Sequence, residues 1–179
     1  MKTLWTTLTW MAFGVIGPMA NAHVVFAEPH AIAGSYFKAT LRVGHGCGNA
    51  STMSLTVKIP AGFESAKPQP KLGWNLTIKK EPLAKPYISH GKTITEDVVE
   101  ITWQATNPDF FLPNEQFEEF SFLTHLPSQP GLYWANVRQV CVKGSNNWTE
   151  VPASGSSTQG LQLPAALIEL LPPPEHHHH

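Results

Sequence analysis

Residues 36–59, YFKATLRVGHGCGNASTMSLTVKI, read as two β-strands with a glycine-rich turn between them. Tyr36–Val43 and Met53–Ile59 both alternate apolar and polar side chains, the period of a strand with one buried face. Gly44, Gly46 and Gly48 fall between them, in a turn that also carries His45 and Cys47. The same alternation recurs outward from this pair. Val24–Phe26, Trp74–Ile78, Val98–Trp103, Phe117–Phe122, Leu132–Val142 and Trp148–Val151 are further strand candidates. Glu81–Gly91, with Pro82 and Pro86, reads as a loop. No long window carries the 3.6-residue period of an amphipathic helix. The expectation is an all-β chain, a β-sandwich of about eight strands.

Composition narrows the function classes. Among 179 residues, 12 Lys+Arg stand against 13 Asp+Glu, a formal net charge of -1, so a nucleic-acid footprint is not expected. Charged residues make up only 14 %, which argues against a coiled coil, and 42 % hydrophobic residues argue against disorder.

The chain divides by pattern. Residues 1–22 read as a signal peptide: Met1-Lys2, then an apolar run containing Trp5, Trp10 and Phe13, then Pro18 and the small-x-small site Ala20-Asn21-Ala22. Residues 23–152 hold the sandwich, and 153–160, ASGSSTQG, read as a flexible linker. Residues 161–175 read as an edge segment, interrupted by Pro164 and too short to span a bilayer. His176–His179 form a tail that is either a purification tag or a native metal-scavenging run. The protein is expected to be exported. In an oxidising compartment the two cysteines, Cys47 and Cys141, are expected to form a disulfide.

The residue richest in chemistry is His23, which cleavage after Ala22 makes the mature N-terminus. A terminal His offers its α-amine and its imidazole Nδ1 in one chelate ring, a histidine brace. Tetragonal nitrogen donors suit Cu(II). His30 is the next candidate ligand, with a solvated loop residue as its plain alternative. Glu28 ranks behind it as an oxygen donor, and His45, in the glycine-rich turn, ranks last. Trp148 either walls a copper site or fills the core. Met53 is the single methionine after the leader, so a Met-rich Cu(I) site is not expected. G-x-S-x-G, H-E-x-x-H and glycine-rich phosphate-loop motifs do not occur.

Several stretches together resemble the YcnI-like copper-binding domain of exported bacterial proteins. They are HVVF…AGS at His23–Ser35, LRVGHGC at Leu41–Cys47, KIPAG at Lys58–Gly62, PKLGW at Pro70–Trp74, Phe117–Phe122, and VCVKGSNNWTEVP at Val140–Pro152. The resemblance implies an immunoglobulin-like β-sandwich with a single-histidine brace for Cu(II). The brace histidine maps onto His23 and a tryptophan beside the metal onto Trp148. At the family's carboxylate position this chain has His30. The resemblance further implies copper trafficking among other copper-handling proteins. Many Gram-positive members carry a C-terminal membrane anchor; no hydrophobic span follows the leader here.

The expected function is therefore periplasmic or secreted Cu(II) binding in trafficking or storage, without catalysis. The alternatives are a copper-dependent polysaccharide oxygenase and a metal-free secreted binding sandwich.

Overall fold

The computed structural model describes residues 23–175; the expected signal peptide and the His176–His179 tail lie outside the described residues. Among the described residues twelve strands occur in chain order: β1 Val25–Phe26, β2 His30–Ile32, β3 Tyr36–Val43, β4 Thr52–Lys58, β5 Glu64–Pro68, β6 Trp74–Ser89, β7 Lys92–Ala105, β8 Glu118–His125, β9 Gly131–Ala135, β10 Val137–Cys141, β11 Ser145–Trp148 and β12 Ala166–Leu171. They form a four-stranded sheet (β1-β3-β8-β5), a five-stranded sheet (β11-β10-β4-β7-β6) and a three-stranded sheet (β2-β12-β9). The all-β sandwich is as expected, and β3 and β4 are the strands the alternation marks.

Alternation explains the core. Leu41 on β3 pairs with Phe120 on β8, and Leu55 and Val57 on β4 pair with Trp103 and Ile101 on β7. All six side chains are buried. Phe120 meets the rings of Trp74 and Trp103 at 5.0 and 5.6 Å, joining the two larger sheets through aromatic contacts.

The strand count exceeds the expected eight for identifiable reasons. The apparent single strand at Leu132–Val142 changes sheets at Asn136: β9 pairs with β12, and β10 pairs with β4 and β11. Residues 81–91 are not a loop but the outer part of the long β6–β7 hairpin. Its prolines are accommodated where the register shifts, between Lys79 and Lys80 and between Pro82 and Tyr87. β2 and β5 are short, and β5 is irregular, so neither shows a clean period.

The C-terminal segment also departs from expectation. β12 is not an edge but the middle strand of its sheet, parallel to β2 and antiparallel to β9. Ala166, Ile168 and Leu170 are buried, so the sandwich does not close at residue 152 but incorporates the strand beyond the linker.

The long-range cross-link is the Cys47–Cys141 disulfide, with Cα atoms 5.9 Å apart across a sequence separation of 94. It fastens the turn after β3 to the end of β10.

Candidate metal centre

The segment that carries His23 is held by its neighbours. Val24 and Phe26 are buried, and β1 pairs antiparallel with β3 in the register Val25↔Arg42 and Phe26↔Leu41. Continued past the end of β1, that register sets His23 opposite Gly44, beside His45. The structure thereby brings together the two histidines that flank the first and last residues of paired strands.

Trp148 completes the corner. Its ring lies 5.7 Å from that of His23 and 6.1 Å from that of His45, centroid to centroid. The indole is buried at the end of β11 and donates its Nε1–H to Gln139 Oε1 at 3.1 Å. Gln139 is wholly buried and organises this corner. Its Nε2 donates to the His45 carbonyl at 2.6 Å and to Thr52 Oγ1 at 2.7 Å. One amide thus fixes the backbone of one candidate ligand and the ring that walls the other.

The His45 turn is further constrained. Gly46 N–H donates to Asn114 Oδ1 at 3.1 Å, and a Cβ at Gly46 would stand 1.8 Å from the Ala50 carbonyl oxygen. Only glycine fits that approach. The next residue, Cys47, is the disulfide partner. His45 Nδ1–H donates to the Gly46 carbonyl, which leaves the lone pair on Nε2. A ring nitrogen pinned by a backbone carbonyl is the usual companion of metal ligation through the other nitrogen.

His23 is half-buried, and its Nε2 is buried and has no hydrogen-bond partner among the described residues. Burial first, and the neighbouring His45 second, hold its pKa below the ordinary 6.5. A neutral imidazole is the form a metal needs.

The other expected site residues lie elsewhere. His30 is exposed on β2, opposite Glu169 of β12, with Nε2 3.4 Å from Glu169 Oε2. It shares with His23 a groove of about 310 Å³, also lined by Pro29, Ser156, Thr158 and Glu169. Glu28 is exposed and does not line that groove. His45, ranked last from the sequence, is the histidine placed beside His23. Gln139, Gly46 and Asn114 were not singled out from the sequence. Gln139 did carry a signal: alternation on β10 turns it inward between Val137 and Cys141.

Among the described residues no three His, Cys, Asp or Glu side chains cluster as a ready metal cage. The donors at the corner are instead two imidazoles and, once residues 1–22 are removed, the α-amine of His23. An all-nitrogen set of this kind fits Cu(II). No helix among the described residues is long and apolar enough to cross a membrane.

Comparison with known proteins supports the fold. No curated protein matches the chain significantly. Among solved structures, an uncharacterized protein from Nocardia farcinica with an immunoglobulin-like fold aligns with a TM-score of 0.64 and 24 % identity, over 83 % of this chain and 98 % of its own. AvmM, which catalyses macrocyclization in alchivemycin A biosynthesis, aligns with a TM-score of 0.29 at 10 % identity, covering 88 % and 94 %, too loosely to carry an argument. Residues 23–170 match the family described as a domain of unknown function, DUF1775, a span that begins at His23 and ends within β12. The chain therefore belongs to the DUF1775 family, built on an immunoglobulin-like β-sandwich.

Proposed function

We propose that the mature protein is an exported, periplasmic Cu(II)-binding protein that stores copper or hands it on. The observation that carries this reading is the corner at residue 23: the His23 imidazole stands beside that of His45 and against the Trp148 ring. The resemblance to YcnI-like domains supports the same metal. In this reading the His23 amine and imidazole chelate the ion, His45 Nε2 supplies a third nitrogen, and Trp148 walls the site. In this reading the site holds the ion for storage or transfer.

A second ligand set has its own observation, because His30 lines the same groove as His23. Electron paramagnetic resonance separates the two. With the 176–179 tail removed, Cu(II) bound to the mature chain should show three coupled nitrogens at one ion per chain. His45→Ala should remove one nitrogen coupling and weaken binding, while His30→Ala leaves the spectrum unchanged. The opposite pattern would transfer the third ligand to His30. A spectrum indifferent to His23→Ala would end the copper reading.

A further inference from the structure

The outward face of the five-stranded sheet carries two polar rows set by strand register. Lys58 on β4 and Glu100 on β7 pair in one row, which Asn136, just before β10, and Thr149, just after β11, extend. Asn147, Arg138, Thr56 and Thr102 lie in the next. Seven of these eight line a groove of about 410 Å³, within the range of small-molecule sites.

The side chains in this groove are largely uncommitted. Thr56 Oγ1 bonds to Thr102 Oγ1 at 2.8 Å. Among the described residues, Arg138, Lys58, Glu100, Asn136 and the Asn147 amide enter no side-chain hydrogen bond and no ion pair, although Lys58 and Glu100 are direct cross-strand partners. The chain's other arginine, Arg42, behaves differently: two of its nitrogens hold Glu119 Oε1 at 3.0 and 2.8 Å. An exposed guanidinium left without a carboxylate, in a concavity shared with a second cation and two free amides, is arranged to meet an anion that also carries hydroxyl groups. The groove has no aromatic lining, so it lacks the stacking surface that neutral sugars use.

We propose that this groove binds a small hydroxylated carboxylate of the uronic-acid type. Arg138 takes the carboxylate through paired N–H donors, with Lys58 as the second positive charge. Asn136, Asn147 and Thr149 bond the hydroxyls, and Glu100 accepts from a hydroxyl at the far end of its row. Alternation along β11 separates this site from the copper corner: Trp148 points inward, while Asn147 and Thr149 face out. The proposal therefore stands independently of the copper reading.

The test is an NMR titration of the mature chain, without copper, using glucuronate, glucose and inorganic phosphate in parallel. Glucuronate should shift β10 and β11 amide resonances saturably, glucose should not, and phosphate should bind at least ten-fold more weakly. Arg138→Gln should lower glucuronate affinity ten-fold or more, and Asn147→Ala several-fold, with a dispersed spectrum reporting the intact fold. Three results would overturn the proposal. These are no saturable shift at tens of millimolar glucuronate, phosphate binding as tightly as glucuronate, and unchanged affinity in Arg138→Gln.

Discussion

At the scale of single residues, His23 is an imidazole whose surroundings favour its neutral form. Burial is the larger cause and His45 the smaller. In metal-free protein, NMR titration should therefore place His23 below 6.5, and His45→Ala should raise that value without returning it to 6.5. A value unchanged in His45→Ala would separate the two rings. The linked effect on stability has a definite sign. With the folded pKa depressed, the His23 contribution is present above 6.5 and is lost as pH falls through the folded value. Gln139 is the second decisive residue. Gln139→Leu strands the Trp148 Nε1–H and the His45 carbonyl together. Denaturant unfolding should show a loss of about 2–3 kcal/mol, and Cu(II) affinity should fall, because His45 and Trp148 are no longer held. Neither the importance of Gln139 nor that of His45 was plain in the chain order. The hydrogen bond that joins them spans 94 positions, which only strand register brings near.

At the scale of elements, the turn after β3 matters most. Gly46 allows the backbone to approach Ala50, and Cys47 ties the turn to β10. Reducing the disulfide frees a long loop in the unfolded chain. It should lower the melting temperature, with a loss of at most about 4–5 kcal/mol in the chain-entropy estimate. Copper should remain bound but more weakly, since hydrogen bonds from Gln139 and to Asn114 still hold the turn. Calorimetry with and without reductant, with and without Cu(II), checks both parts. Strands with clean alternation, β3, β4 and the inner part of β7, were legible in the sequence because each buries one face. The outer β6–β7 hairpin was not. Its side chains are mostly exposed on both faces, so no period of two develops, and its prolines mimic a loop.

At the scale of the whole molecule, the sandwich depends on a strand that follows a loop rich in serine and glycine. β12 contributes the buried Ala166, Ile168 and Leu170. Burying a large aliphatic side chain contributes about 1.5–3 kcal/mol, so losing Ile168 and Leu170 alone removes about 3–6 kcal/mol, a large share of the about 5–15 kcal/mol that holds an ordinary domain together. A chain cut after residue 160 should lose its cooperative thermal transition, and a retained transition would mean that the body closes without β12. The sequence did not show this role because Pro164 interrupts the segment and its parallel partner β2 is only three residues long. The fold also positions the proposed copper corner, since the first paired strand delivers residue 23 to the turn after β3. The central claim is that the free amine of His23 belongs to the copper site. The most direct measurement compares Cu(II) affinity of the tail-free mature chain with that of the same chain carrying one extra alanine before His23. The extension keeps the imidazole but removes its own amine from chelation. The account predicts one tightly bound Cu(II) for the native N-terminus and a loss of affinity of at least a hundred-fold for the extended one; equal affinity would contradict it.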